Sequence, residues 1–307
     1  MSTVVEISAS MVKELREKSG AAMMDCKNAL KDAEGNFEKA FELLRQKGAA
    51  SASKKAGRTT SEGLVVGYTT PDSKVGTLVE LNCETDFVAR NEQFVALGKT
   101  LAETAAQKDV SCTDKLNAEL VEGKKVQDLL TEAVGKIGEN ISLKRVKTIK
   151  LSSAYGTVGL YLHALGGKMG ALVELATDKQ VADQDALNAV GRELAMHVVS
   201  TKPSFLSREE IPADVIENER RIESGKADLA EKKPEMREKI VSGRVDKILG
   251  ERCFLEQPFI KDPQTTVAKY LAAKGKELGV EIKPLSFAVY ILGETEAEKE
   301  ATEACAQ

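Results

Sequence analysis

Tryptophan is absent from this chain of 307 residues, aromatic residues make up only 4% of it, and there are just two histidines, His163 and His197. Any acid-base or metal chemistry would have to run through those two imidazoles. An excess of positive charge is also missing. Lys and Arg total 44 against 48 Asp and Glu, a net charge of -4, so no global basic field is available to hold a phosphate backbone, and nucleic acid is not expected as a direct partner. The five cysteines, Cys26, Cys83, Cys112, Cys253 and Cys305, include no CxxC pair. An odd count at wide spacing suits neither a disulfide framework nor a zinc site and reads as a reducing compartment. No apolar run is long enough to cross a bilayer, and Met1-Ser2-Thr3-Val4-Val5-Glu6 lacks the cationic start and apolar stretch of a signal peptide. The expected location is the cytoplasm, with no membrane partner.

What is present is an ordinary apolar and charged content, 42% and 30%, in a chain long enough for two or three structural units. Residues 8 to 48 read as three short helices. Ser8 caps the first, with Met11, Val12 and Leu15 apolar and a stop at Ser19-Gly20. The second carries Met23, Cys26 and Leu30 on one face, with Gly35 beyond it. Asn36 caps the third, where Phe37, Ala40, Phe41 and Leu44 follow helical spacing until Gly48. Such short helices bury little alone and are expected to pack as a bundle. The small, basic stretch Ala49 to Arg58 reads as a solvated linker or a frayed helix extension.

Beyond it the chain repeats itself. Gly76-Thr77-Leu78-Val79-Glu80-Leu81 recurs as Gly170-Ala171-Leu172-Val173-Glu174-Leu175, each after a shorter apolar strand, Gly63 to Tyr68 and Gly156 to Leu162. Each copy then enters a helix with a glycine in register, Gly98 and Gly191. A mid-helix glycine costs roughly 1 kcal/mol relative to alanine, so its recurrence predicts close packing of helix on sheet. Strands at Ile141 to Leu151 and Leu285 to Leu292 would complete the two copies. Between Pro212 and Leu249, Ile216, Ile222 and Leu229 form one apolar arm and Met236, Ile240, Val241, Val245 and Ile248 another, across a turn at Lys232-Lys233-Pro234. This pattern suits an antiparallel helical hairpin or a pair of helices lying flat on the domain. The last residues are acidic and Ala-rich, a marginal terminal helix.

The fold class is therefore α+β: a three-helix module (1-50), a linker (51-60), a first repeat (61-152), a second repeat (153-206 and 253-293) interrupted by a helical hairpin (207-252), and a tail (294-307). No cofactor or metal site is expected. Gly166-Gly167-Lys168 is no phosphate loop, because position 162 is Leu and no Ser or Thr follows Lys168. Cys83 with His163 or His197 could be imagined as a thiol hydrolase, but no motif supplies a third, orienting group.

The strongest functional signal is Asn82-Cys83-Glu84-Thr85-Asp86-Phe87-Val88-Ala89-Arg90-Asn91, where an apolar strand breaks off into an acid and an aromatic. That arrangement can hold a rigid apolar wedge beside a negative charge. On spacing alone the favoured reading of Phe87 is the first core residue of the helix that follows, since most phenylalanines are core residues. Thr85-Asp86-Phe87-Val88-Ala89 resembles the signature of the elongation factor Ts family. The likeness continues through Ser19-Gly20-Ala21-Ala22-Met23-Met24-Asp25-Cys26-Lys27, Lys136-Ile137-Gly138-Glu139-Asn140-Ile141, Met196-His197-Val198 and Gln257-Pro258-Phe259.

The resemblance implies a bundle like that of ubiquitin-associated domains, and a guanine-nucleotide exchange factor that binds elongation factor Tu, GDP-bound and nucleotide-free, without covalent chemistry. By the same resemblance Asp86 and Phe87, flanked by Thr85 and Val88, enter the partner's nucleotide domain near its magnesium and phosphate site. Arg16, Met23, Met24, Ile137 and His163 match further contact positions. By periodicity alone Met23 is equally a core residue and Met24 an exposed one, while His163 is equally a packed strand residue. A homodimer or a 2:2 complex stays open, as does an interaction module that leaves its partner's nucleotide untouched.

Overall fold

The computed structural model describes residues 7-164, 167-229 and 232-294, and the expectation of a terminal helix beyond 294 lies outside them. The protein is a mixed α+β structure with helices at its N-terminus and several small antiparallel sheets. It divides into two compact units, Met1–Val66 with Val79–Lys147 and Leu292–Gln307, and Gly67–Leu78 with Thr148–Ile291.

The first unit opens with α1 (Ala9–Ser19), α2 (Met23–Asp32) and α3 (Phe37–Lys55). The caps are those read from the sequence. Ser8 Oγ accepts from the Met11 amide at 3.2 Å, Asn36 Oδ1 from that of Lys39 at 3.0 Å, and Gly20 ends α1 at φ 68°. Val12, Leu15, Cys26, Ala29, Leu30, Ala40 and Leu44 form the shared core. One boundary differs, for α3 passes through Gly48 and continues to Lys55. The alanines after Gly48 favour helix, and Gly48 is a crossing point: a Cβ added at Gly135, on α7 (Val126–Ile137), would lie 3.2 Å from Gly48 Cα.

Strands β1 (Glu62–Thr69) and β2 (Val75–Cys83) lead into a single-turn helix α4 (Asp86–Ala89), then α5 (Glu92–Lys108) and α6 (Thr113–Ala118). The two-residue strands β3 (Leu120–Val121) and β4 (Lys124–Lys125) precede α7, and β5 (Ile141–Lys150) completes a sheet in the order β1-β2-β5. Three positions of this unit explain its sequence. Gly63 has φ +149°, and a side chain there would meet Leu81 O at 2.2 Å. Gly98 of α5 would bring a Cβ to 3.2 Å from Val66 Cγ2. Glu80, buried on β2, accepts from Arg145 Nε at 2.5 Å and from the Gly293 amide at 3.0 Å, so its charge is fully partnered.

The second unit repeats these roles with its own residues. Strands β6 (Tyr155–Leu162), β7 (Met169–Thr177) and β10 (Ile282–Ile291) pair antiparallel in the order β6-β7-β10. Gly156 has φ +147° and would meet Leu175 O at 2.0 Å. On α8 (Gln184–Thr201), Gly191 lies backbone to backbone on Gly159 of β6, so that a Cβ at Gly159 would fall 2.2 Å from the Gly191 carbonyl carbon. Buried Glu174 accepts from the amide and hydroxyl of Ser152 at 2.8 and 2.7 Å and from Ser286 Oγ at 2.7 Å. The β10 register shifts between Pro284 and Ser286, where proline has no N–H to donate.

Helices α9 (Ala213–Ser224) and α10 (Pro234–Arg252) run antiparallel, for Arg252 pairs with Glu219 at 3.3 Å and Arg244 with Glu223 at 3.7 Å. Their core is Ile211, Leu229, Val241, Val245 and Leu249, with Ile216 and Ile240 against it. Two expected members, Ile222 and Met236, are about half exposed, and Leu249 is buried in place of Ile248. The short pair β8 (Pro258–Phe259) and β9 (Asp262–Thr266) and the helix α11 (Val267–Leu278), capped by Thr266, were not anticipated. Cys26, Cys83 and Cys253 are free and buried, while Cys112 is disulfide-bonded. No helix among the described residues is long and apolar enough to cross a membrane.

Candidate functional site

Strand β2 ends at Cys83, and the chain turns at Glu84 into an N-cap. Thr85 is extended (φ -127°, ψ 156°) and its Oγ1 accepts from the Val88 amide at 3.4 Å. Asp86 then occupies the first turn of α4, where a carboxylate complements the helix dipole, and pairs with Arg90 at 3.0 Å. Phe87 follows and is 82% exposed, the most exposed large apolar side chain among the described residues. The competing reading, with Phe87 as the first core residue of the next helix, is overturned. Asn91 starts α5 afresh by accepting from the amides of Gln93 and Phe94, and it is Phe94 that is fully buried. Val88 is half-buried and Ala89 buried, so the turn is seated on one side and presents Phe87 on the other.

Glu139, 54 residues away in sequence, holds this turn. Its Oε2 accepts from the amides of Glu84 and Thr85 at 3.1 and 3.0 Å, and its Oε1 from the Thr85 hydroxyl at 2.6 Å. Glu84 returns the contact, its Oε1 accepting from the Asn140 amide at 2.7 Å. That hydrogen bond, with the charge of Arg58 beside it, keeps the Glu84 carboxyl below the usual carboxylate range. Asn140 is anchored in turn by donating to Arg58 O at 2.8 Å. Glu84, Glu139 and Asn140 were not singled out as site residues from the sequence, where nothing pairs residues so far apart.

Of the other positions in the first unit, Arg16 is exposed on α1, and Met23 and Met24 are 47% and 62% exposed at the start of α2. The core reading of Met23 is therefore not met, because the first turn of α2 extends past the apolar cluster that Cys26 enters. Ile137 is half-buried at the end of α7, just before Gly138, which has φ 90°. In the second unit, His163 is half-buried just after β6. Its Nδ1 lies 3.3 Å from Tyr161 Oη, and its amide donates to Met169 O.

Cys83 is buried, and burial, followed by the charge of Glu139, pushes its thiol up to about 12, so it stays protonated and is no nucleophile. Its Sγ donates to Thr85 O at 3.2 Å. Among the described residues no group of three or more His, Cys, Asp and Glu could hold a metal ion. A cavity of about 600 Å³ in the first unit is lined by side chains of both signs, Lys18, Asp25, Arg45, Lys124, Glu132 and Lys136 among them, and does not include Phe87.

His197 is fully buried in the second unit with both ring nitrogens engaged, Nε2 with Gln257 Oε1 at 2.9 Å and Nδ1 accepting from the Ile260 amide at 3.2 Å. Burial lowers its pKa, against a smaller opposing effect of Gln257. A lowered folded pKa means that the unfolded chain binds the proton more readily. Stability from this residue is thus complete above about 6.5 and is lost as pH falls below it toward the folded value. The urea midpoint of the parent protein is expected to drop between pH 7.5 and 5.5 by more than that of His197→Gln; equal drops would remove His197 as the cause.

The family model described as "Elongation factor TS" matches residues 84–294. The chain is 45% identical over 298 residues to the elongation factor Ts of Clostridium botulinum (strain ATCC 19397 / Type A), covering 96% of this chain and 95% of that one. It is 43% identical over 299 residues to that of Trichlorobacter lovleyi, with the same coverage. Identity at this level over nearly the full length, together with a family match over most of the chain, shows that the protein belongs to the elongation factor Ts family.

Proposed function

We propose that this protein is a translation elongation factor of the cytoplasm that binds elongation factor Tu carrying GDP and accelerates release of the nucleotide, so that GTP can bind. It acts as a guanine-nucleotide exchange factor and not as an enzyme that makes or breaks covalent bonds. The observation that carries this reading is Phe87, 82% exposed on a capped turn beside Asp86 in a member of this family. An exposed Phe forgoes roughly 1.5–3 kcal/mol of burial in the free protein, and that free energy becomes available when the ring enters a partner. A ring driven between helices of a nucleotide domain displaces the groups that hold magnesium and phosphate. Reciprocity then requires that a factor binding the nucleotide-free partner more tightly lower the nucleotide's affinity by the same ratio, and that incoming GTP expel the factor.

In this reading Thr85, Asp86, Phe87 and Val88 form the exchange tip, and Arg16, Met23, Met24, Ile137 and His163 contribute further contacts. The organisation that serves them is a three-helix N-terminal module resembling ubiquitin-associated domains, a duplicated α+β core and an inserted helical hairpin. The recurrence of the Gly63, Gly98 and Glu80 roles at Gly156, Gly191 and Glu174 supports the duplication. The test is the release rate of a fluorescent GDP from purified elongation factor Tu. The parent protein should accelerate it many-fold, and Cys83→Ser should accelerate it to within about twofold of the parent, since the serine hydroxyl can donate to Thr85 O in place of the thiol. Binding without acceleration would leave only an interaction module.

A further inference from the structure

We propose that Glu139 is a positioning residue for nucleotide exchange, acting through Phe87 by fixing the direction in which the tip leaves the sheet. The inference rests on the exchange reading above and adds a residue to it.

A single turn of helix is not self-supporting, because nucleation fixes several dihedrals for one hydrogen bond. Its exposed ring would gain by folding back onto apolar surface. Something outside α4 must hold it out, and the three donors that converge on Glu139 are the two amides and the hydroxyl immediately before Asp86. Hydrogen bonds to a carboxylate are stronger than those between neutral groups, and the 2.6 Å contact from the Thr85 hydroxyl is of that short kind. The same hydroxyl accepts from the Val88 amide. Glu139 therefore orients the oxygen that caps α4, and through it the turn that carries Phe87.

The clamp is crossed. Each of the two loops offers a carboxylate to the other's backbone, Glu139 to Glu84 and Thr85, and Glu84 to Asn140. Sliding one loop along the other would break bonds in both directions. Glu139 also follows Gly138, whose left-handed backbone ends α7 directly after Ile137. The clamp thus ties the loop that bears Ile137 to the turn that bears Phe87, so that both candidate contacts are presented as one surface. Preorganisation of this kind lowers the ordering cost on binding and preserves the approach geometry on which a wedge depends.

The experiment is a double-mutant cycle on GDP release from elongation factor Tu, with rates followed against factor concentration to separate maximal acceleration from half-saturation. The variants are Glu139→Ala, Glu139→Gln, Phe87→Ala and the two double variants. Glu139→Ala is expected to lower maximal acceleration about tenfold with a smaller change in half-saturation, and Glu139→Gln, which keeps one acceptor oxygen, less. In the Phe87→Ala background both changes should alter the rate by less than twofold, an outcome that a merely structural loss would not produce. Should Glu139→Ala fold poorly, the glutamine variant carries the cycle. Parent-like acceleration by Glu139→Ala, or effects that multiply in the double variants, would overturn the proposal. Absence of acceleration by the parent protein would instead overturn the exchange reading, and a Phe87→Ala variant as active as the parent would overturn the wedge.

Discussion

Phe87→Ala is expected to lose most of the acceleration of GDP release, about 10- to 100-fold at saturating factor, while its half-saturating concentration rises by only a few-fold. The size follows from what alanine removes. Truncating a buried aromatic anchor at an interface costs about 2–4 kcal/mol, and here the ring is the only large apolar group on its turn. It is 82% exposed in the free protein, so its removal leaves no cavity and the variant should unfold at the parent's midpoint. Binding should suffer less if, as proposed, the other contacts are spread over Arg16, Met23, Met24, Ile137 and His163. The split between rate and affinity is the diagnostic, since a residue that only adds uniform binding would raise the half-saturating concentration and leave the maximal rate unchanged. Phe87→Leu, which keeps an apolar side chain without the ring, should fall between. If Phe87→Ala reached the parent's maximal rate, the ring would be a passenger and the exchange mechanism would need another source.

Much of this was legible in the sequence because the signals were local. Ser8 and Asn36 cap the helices they were read to cap, and the strand that ends at Cys83 gives way to the acid and the aromatic, Asp86 and Phe87, as read. Phe87 itself was ambiguous in one dimension. A phenylalanine seven residues before another, both near a helix start, leaves two candidates for a single core position. Asn91 decides between them, because the cap it forms gives the buried position to Phe94. Met23 shows the converse failure: its spacing from Cys26 placed it on the apolar stripe, but a stripe does not tell where the core beneath it ends.

What stayed hidden depends on contacts distant in sequence. Glu139 bonds across 54 residues, and the glutamate has no local pattern that marks it as a clamp. Gly48 was read as a helix stop since glycine commonly is one, but α3 runs through it to Lys55, and the close approach there rests on Gly135, whose Cβ would lie 3.2 Å from Gly48 Cα. The short helix α11 has apolar residues at Val267 and Leu271 and a left-handed Gly279 after it, a signal overshadowed by the strand that follows. In each case the residue type was informative, and only the three-dimensional neighbour gave its meaning.

The repeated mid-helix glycines allow the second large effect to be ordered in advance. At Gly98, a new Cβ would sit 3.2 Å from Val66 Cγ2, a side-chain atom that can yield by a few tenths of an ångström. Alanine there also gains about 1 kcal/mol of helix propensity, so Gly98→Ala should be close to neutral. At Gly191 the neighbour is the Gly159 Cα at 3.0 Å, which is backbone and cannot rotate away. The same propensity gain is then outweighed, and Gly191→Ala should destabilise by about 1–2 kcal/mol. At Gly159 the Cβ would fall 2.2 Å from a carbonyl carbon and 2.3 Å from its oxygen, so helix and strand must separate. Gly159→Ala is therefore expected to cost about 3 kcal/mol or more, at the upper end for overpacking, since the residues driven apart include buried Val158, Val190 and Leu194. Urea unfolding of the three variants would read the order directly. A parent-like midpoint for Gly159→Ala would mean that α8 does not lie backbone to backbone on β6, and that the recurring glycine reflects something other than close packing.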